Sequence, residues 1–223
     1  MSVVVRRGHL QRTLAEQAAR RGIRIEYGKR LSATDQTDAG VVCRFEDGTE
    51  ARGDVVLGAD GLHSRARRFV DPMSPAPIYT GLLGVGGFAN VPGLAPTPDT
   101  QHFVFGKRAF FGYLVKPSRE VYWFANLAGP ESTPEQRARI STDEWKRELH
   151  ALFDGDGEII HRILDAAVGA IGVHPVHDMP PLPTWHRGTV ALLGDAAENP
   201  APRGGRFAAT AGIPRRSRRF DAA

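Results

Sequence analysis

The sequence predicts a mixed α/β fold, α+β overall, in which a β-rich region interrupts an α/β region. One supporting observation is an amphipathic helix over about residues 7–21, in which Leu10 and Leu14 recur at helical spacing. A second is a pair of short apolar runs, residues 54–57 and 190–193, each followed by a turn that contains glycine and aspartate. The third is a series of aromatic-rich strand patterns between these two runs.

The N-terminal region alternates between helical and strand patterns. Gly22 ends the first helix, and residues 54–57 lack polar alternation, which predicts a strand buried on both faces. The other predicted elements are a strand at residues 23–27, a strand that begins near Leu31, a strand at residues 41–45, a hairpin turn at residues 46–49 and a short helix at residues 63–69.

The middle of the chain predicts an antiparallel sheet of about four strands, followed by two helices and a returning strand. The strands are expected at residues 78–88, 102–105, 110–115 and 121–127, the helices at 142–153 and 158–168, and the returning strand at 171–176. Proline-rich stretches on either side, 73–77 and 180–183, predict the connections. The expected domain bounds are 1–72, 73–184, 185–205 and a disordered basic tail at 206–223.

Composition excludes several classes of protein. The chain has 223 residues, and its 41% apolar and 24% charged residues are typical of a globular protein. A single cysteine, Cys43, excludes an internal disulfide and favours a reducing, cytoplasmic location. No apolar run is long enough to span a membrane, and no signal peptide is recognisable.

The net charge of +4 comes from the C-terminal tail. Residues 206–223 contain five arginines and one aspartate, whereas residues 1–205 carry equal numbers of basic and acidic side chains. A neutral body argues against nucleic-acid binding, which depends on basic patches. A basic tail that binds acidic partners is the alternative interpretation.

Three motifs occur in order along the chain. A helix start reads Arg-Gly-His-Leu from Arg7, a turn reads Gly-Ala-Asp-Gly from Gly58, and residues 185–197 end in Gly194-Asp195-Ala-Ala. With a β-rich block between the last two, the chain resembles the FAD-dependent aromatic-ring hydroxylases and monooxygenases, of the para-hydroxybenzoate hydroxylase type. The resemblance covers about residues 3–205.

This resemblance implies a partial FAD/NAD(P)-binding three-layer domain with an inserted, mainly antiparallel β substrate domain. It implies FAD as cofactor, NAD(P)H as co-substrate, and hydroxylation or epoxidation of a small aromatic substrate by O2. Because the flavin carries the oxygen chemistry, no catalytic side chain is predicted. Aromatic residues of the middle region, Phe103 and Tyr113 among them, are expected either to line a substrate pocket or to form sheet core.

The predicted cofactor-binding residues lie on or beside the three motifs: Arg7, Leu31, Gly58, Asp60, Gly61, Gly194, Asp195, Pro202 and Gly205. A guanidinium suits a phosphate, whereas aspartates suit sugar hydroxyls, or an arginine that in turn meets a phosphate. The alternatives are a solvated arginine at a helix end, aspartates that cap helices, and glycines that only serve turns.

Other sites are less favoured. His174 and His177 lack an acidic cluster for a metal site, and Ser64 lacks partners for a hydrolase triad. Cys43 shares a strand face with apolar neighbours and is expected to be buried.

The chain also departs from the family pattern. It contains no Gly-x-Gly-x-x-Gly turn, and position 198 is Glu where the family has His. Pro202 and Gly205 keep the register, but Arg206 and Phe207 replace Gln-Gly. These departures lead us to expect a chain truncated at both ends or a frameshifted tail, with hydrophobic sheet edges and weak or no FAD binding.

Two groups of alternatives remain. A halogenase or a reductase of the same fold would share the motifs. A non-catalytic remnant or interaction protein would explain the missing glycine turn.

Overall fold

The computed structural model describes residues 5–198, which form two compact units. The first unit comprises residues 5–77 and 179–198, and the second comprises residues 78–178. The predicted basic tail, together with Pro202 and Gly205, lies outside the described residues. No helix within residues 5–198 has the length and apolar character needed to cross a membrane.

Helices and strands alternate along the chain, which confirms the predicted mixed fold class. In chain order the elements are α1 (Arg7–Arg20), β1 (Leu31–Thr37), β2 (Gly40–Phe45), β3 (Glu50–Gly53), β4 (Val56–Gly58), α2 (Ala66–Val70), β5 (Ile78–Ala89), β6 (His102–Phe105), β7 (Phe110–Val115), β8 (Val121–Ala128), α3 (Pro134–Ala138), α4 (Thr142–Leu152), α5 (Glu158–Asp165), β9 (Ala167–Asp178), β10 (His186–Arg187) and β11 (Val190–Leu192).

The first unit contains two small sheets. One is an antiparallel β1-β2-β3 meander, and the other has the order β10-β11-β4, in which β11 and β4 are parallel. Apolar side chains of β11 are buried beside α2, with Val190 and Leu192 packed into one cluster with Ala66 and Val70. This cluster fixes the C-terminal ends of β4 and β11 next to each other.

Two predictions for the first unit are wrong. Residues 23–27 form no strand, and Ile23 and Tyr27 are exposed, because the described structure provides no neighbouring strand with which they could pair. The predicted strand at residues 54–57, seen as β4 over Val56–Gly58, is not buried on both faces either: Val55, just before it, and Leu57 are 58% and 60% exposed. Helix α1 begins at the predicted residue and ends one residue earlier than predicted, at Arg20, and none of its residues is buried.

The second unit is built on a five-stranded sheet with the order β6-β7-β8-β5-β9. The four predicted strands are confirmed, and the predicted returning strand becomes the fifth, paired with β5. Every neighbouring pair in this sheet is antiparallel. Antiparallel pairing places directly paired residues on the same face, so the register defines what each face presents.

Helices α4 and α5 pack on one face of this sheet. Ser141 and Glu144 form a capping box that starts α4, and α5 buries Ile160 and Ile163 completely. Beneath them, the rings of Phe111 and Trp123 stack 5.8 Å apart. Burying an aromatic or branched side chain contributes about 1.5–3 kcal/mol each, so this layer is the main core of the second unit.

Candidate functional site

Two of the predicted motifs meet at one edge of the parallel strand pair. Ala191 pairs with Leu57 and Leu192 with Gly58, and the Leu193 amide donates to the Gly58 carbonyl at 2.9 Å. The turn after β4, residues 59–65, therefore lies beside the 3-10 turn Gly194–Ala196 that follows β11. Ligands of open α/β sheets bind at this carboxyl edge of the strands.

Arg67, which the sequence analysis did not select, holds the two turns together. Its side chain is 3% exposed, and its guanidinium donates to the carbonyls of Leu62, Asp195 and Ala196 at 2.8, 3.0 and 2.9 Å. Burial lowers the pKa of Arg67, and the charge of Asp60 partly offsets this effect. An arginine remains a cation under these conditions, so a positive charge lies beneath both turns.

Asp60 caps the N-terminus of α2. Its carboxylate accepts hydrogen bonds from the Ser64 hydroxyl at 2.5 Å and from the Arg65 and Ala66 amides at 2.7 and 3.1 Å. Partial burial alone would raise the pKa of Asp60, but the hydrogen bonds from Ser64, Ala66 and Arg65 outweigh it, and the pKa is lowered. The capping alternative is therefore present in the structure, and ligand binding by Asp60 stays a prediction.

Asp195 differs from Asp60 in its surroundings. Its carboxylate is exposed, and no donor within residues 5–198 hydrogen-bonds to it. The preceding Gly194 has a φ of +56°, and a Cβ at this position would meet nothing within 4 Å. Asp195 thus offers an exposed carboxylate next to the open backbone position of Gly194, which fits a ligand that carries hydroxyl groups.

The glycines of the first turn have different roles. A Cβ on Gly58 would overlap the side chains of Ala66 and Leu192, so this glycine lets α2 pack against β4 and β11. Gly61 has a φ of +80° with open space around it, as expected for a turn that a ligand could approach. Cofactor binding by Gly58 and by Gly61 stays a prediction.

Leu31 is linked to the first turn through Arg65. The Arg65 guanidinium donates to the Leu31 carbonyl at 3.0 Å and pairs with Glu46 at 2.6 Å. Because Arg65 follows the Asp60 turn directly, the start of β1 lies close to that turn. Four predicted residues, Gly58, Asp60, Gly61 and Leu31, are therefore neighbours in the fold.

Among the described residues, no packing contact holds Arg7 near the two turns. It begins α1, a helix without a buried residue, and its side chain is exposed. Its neighbours Arg6, His9 and Arg12 line a shallow depression with a volume of about 490 Å³. The cationic start of α1 suits an anion, and the cofactor role of Arg7 stays a prediction.

Other residues discussed from the sequence have structural partners. Cys43 is buried, and burial raises its pKa. Ser64 accepts the Arg67 amide at 2.9 Å as well as donating to Asp60. His177 pairs with Glu131 at 2.9 Å.

Residues 2–207 match the family model described as the FAD binding domain. The chain belongs to the FAD binding domain family. The match covers most of the chain and includes both turns. It confirms the resemblance predicted from the sequence.

The relatives of this chain include aromatic hydroxylases. A FAD-dependent urate hydroxylase from Klebsiella pneumoniae is 30% identical over 202 residues, which are 89% of this chain and 50% of the relative. A 6-hydroxynicotinate 3-monooxygenase from Bordetella bronchiseptica is 29% identical, over 84% of this chain and 49% of the relative. The chain thus spans about half the length of these curated relatives.

Solved structures show the same fold. The Klebsiella pneumoniae protein HpxO, complexed with FAD and uric acid, superimposes with a TM-score of 0.76 at 26% identity, over 92% of this chain and 52% of HpxO. A salicylate hydroxylase substrate complex superimposes with a TM-score of 0.67 at 20% identity, over 84% of this chain and 50% of that one. The second likeness shows the fold alone.

Proposed function

We propose that this chain is part of a FAD-dependent monooxygenase that uses NAD(P)H and O2 to oxygenate a small aromatic or heteroaromatic substrate. The single observation that carries the proposal is the pairing of two strand-to-aspartate turns at one sheet edge in a member of the FAD binding domain family. The names of the relatives, urate hydroxylase and 6-hydroxynicotinate 3-monooxygenase, support the substrate class.

The residues of the first unit would hold the cofactor. Asp195 offers its exposed carboxylate to a sugar or ribityl hydroxyl, and Gly61 and Gly194 leave room for close approach to the backbone. The buried cation of Arg67 fixes the Asp195 turn and adds positive potential under an anionic ligand. When bound, FAD supplies the redox and oxygen chemistry.

The second unit would bind the substrate. Its sheet carries most of the aromatic side chains of the chain. We therefore assign residues 1–72 and 185–205 to cofactor binding and residues 73–184 to substrate binding. The role of the protein in the reaction would then be to position the substrate ring and to exclude water from the site.

The experiment is an FAD titration of the chain and of its Asp195→Asn variant, followed by flavin fluorescence. Asparagine keeps the size of the side chain but removes the charge, and a hydrogen bond to a charged group contributes about 1.5–3 kcal/mol. The dissociation constant should therefore increase by roughly 10- to 100-fold in the variant.

Asp99→Asn is the matched control. Asp99 is also exposed but belongs to the second unit, so the variant loses the same charge outside the residues assigned to cofactor binding. The control should bind FAD as the parent chain does. Equal binding by the parent and Asp195→Asn would contradict the proposed role of Asp195.

A further inference from the structure

Helices α4 and α5 of the second unit are joined by a pair of histidines. The Nδ1 atom of His150 in α4 lies 2.8 Å from the Nδ1 atom of His161 in α5. The ring planes differ by only 8°, and the ring centroids are 5.0 Å apart. Nearly parallel rings with such close nitrogens and such distant centroids meet edge to edge. The two Nδ1 atoms therefore point at each other and share one hydrogen.

Asp165 determines which ring nitrogens carry hydrogens. Its Oδ1 atom lies 2.9 Å from the Nε2 atom of His150. An ionised carboxylate only accepts hydrogen bonds, so His150 carries a hydrogen on Nε2 and, as a neutral ring, accepts a hydrogen bond at Nδ1. His161 then donates through its Nδ1 atom. The Nε2 atom of His161 is the site that remains for an additional proton.

This arrangement accepts one additional proton but not two. A first proton on the Nε2 atom of His161 leaves the shared hydrogen in place and strengthens the bond, because the donor ring is then charged. A second proton would place a hydrogen on both Nδ1 atoms. Two cationic rings would then face each other with N–H against N–H, and their repulsion would separate them.

The charges around the pair oppose each other. Five charged side chains lie three or four positions from one of the two rings: Lys146, Arg147 and Asp154 near His150, and Glu158 and Asp165 near His161. From the connection between β6 and β7, Arg108 donates to the Ala151 carbonyl at 2.5 Å. Strand β9, which also packs against α4, begins with the uncharged residues 167–173. Three cations thus offset three anions, so the second proton is opposed mainly by the other ring.

The histidine pair lies beside the main core of the second unit. Leu149 and Ile160, the residues directly before the two histidines, are buried to 1% and 0% exposure. The His150 side chain is 30% exposed, so protons from the solvent can reach it. Separation of the rings would therefore loosen the two helices that cover Phe111 and Trp123.

We propose that His150 and His161 form an acid-sensitive clamp between α4 and α5. The clamp is closed while at least one of the two rings is neutral, and it opens when both rings are cations. A locally opened chain takes up the last proton without this repulsion, so the open form binds more protons than the closed form below the ordinary histidine range, about pH 6.5. The stabilisation is therefore present at neutral pH and is lost as the pH falls.

Hydrogen exchange followed by mass spectrometry at pH 7.5 and pH 5 measures this opening, once the rates are corrected for the pH dependence of unprotected amides. The comparison is with His161→Gln, because a glutamine amide can either donate to or accept from His150 and adds no second charge. Protection of residues 142–165 should fall roughly 30-fold more in the parent chain than in this variant, because pH 5 lies about 1.5 units below the ordinary histidine pKa.

His174→Gln is the matched control. His174 is an exposed histidine of the same unit that lies on β9, outside the pair. This variant should lose protection on acidification as the parent chain does. An equal loss in the parent and His161→Gln, or a loss in His174→Gln as small as that in His161→Gln, would overturn the proposal.

Nitrogen NMR of the histidine rings tests the clamp in the parent chain, without a substitution. At pH 8 the His161 ring should be protonated at Nδ1 and the His150 ring at Nε2, since the shared hydrogen requires this combination of tautomers. Protonation of both rings at Nε2 alone would leave no hydrogen between the Nδ1 atoms and would contradict the clamp.

Discussion

Replacement of Arg67 by methionine should loosen both turns of the candidate cofactor site. The change keeps an unbranched apolar side chain but removes a buried guanidinium that donates to three carbonyls, those of Leu62, Asp195 and Ala196. Hydrogen bonds from a charged group contribute about 1.5–3 kcal/mol each, and the buried carbonyls would be left without a donor. Partial repacking and water entry recover some of this energy, so we expect a net loss of about 3–5 kcal/mol.

Hydrogen exchange followed by mass spectrometry measures this loss locally. Peptides that contain β4 and β11 should exchange at least about 100-fold faster in Arg67→Met, because 1.4 kcal/mol corresponds to a factor of ten. Arg68→Met is the control, since Arg68 is the next residue of the same helix but is exposed. Unchanged exchange in Arg67→Met, or an equal change in Arg68→Met, would refute the role assigned to Arg67.

Three further predictions concern the same unit. Gly58→Ala should lower the melting temperature by several degrees, because the added Cβ would overlap the Ala66 side chain and such overpacking costs about 1–3 kcal/mol. A shift of less than about one degree would contradict the packing role of Gly58. Asp60→Asn should destabilise the unit at pH 7, and the difference from the parent chain should shrink as the pH falls below the ordinary carboxyl range, measured by urea unfolding. The reason is that a lowered carboxyl pKa stabilises the fold above the unfolded pKa, and this contribution is lost as the pH falls through the folded pKa. A difference that does not change with pH would argue against this role. Leu57→Lys should change the free energy of unfolding by no more than about 0.5 kcal/mol and should reduce light scattering by aggregates, since Leu57 is 60% exposed. Val190→Lys should unfold the unit, because Val190 is fully buried. A severe loss of stability in Leu57→Lys would show that the Leu57 side chain is buried.

Local patterns in the sequence predicted the elements whose partners are close in the chain. The bounds of α1 and the strands β6, β7 and β8 follow from periodicity and from turn residues. Residues 23–27 alternate in the same way but form no strand, because pairing requires a neighbour that a local pattern cannot supply. The short helix α3 was missed, although Thr133 and Gln136 form a capping box that could have revealed it.

Of the candidate site, the sequence predicted only the parts that local patterns reveal. Gly58, Asp60, Gly194 and Asp195 belong to strand–turn motifs that can be recognised locally, and the structure brings their turns together. Arg67 resembles any solvated arginine of a short helix, because the carbonyls of Asp195 and Ala196 that it binds are 128 and 129 residues away in the chain. The sequence left both helix capping and ligand binding open for Asp60. Only the position of α2 shows that the Asp60 carboxylate already accepts three hydrogen bonds.

An NMR titration of the ¹⁵N-labelled chain with FAD tests the cofactor site most directly, because it detects even weak binding at individual residues. The amides of residues 58–61 and 194–197 should shift together and saturate at the same FAD concentration, since the two turns form one site. Shifts confined to residues 78–178, or saturation of the two turns at different FAD concentrations, would contradict the assignment of these turns to the cofactor.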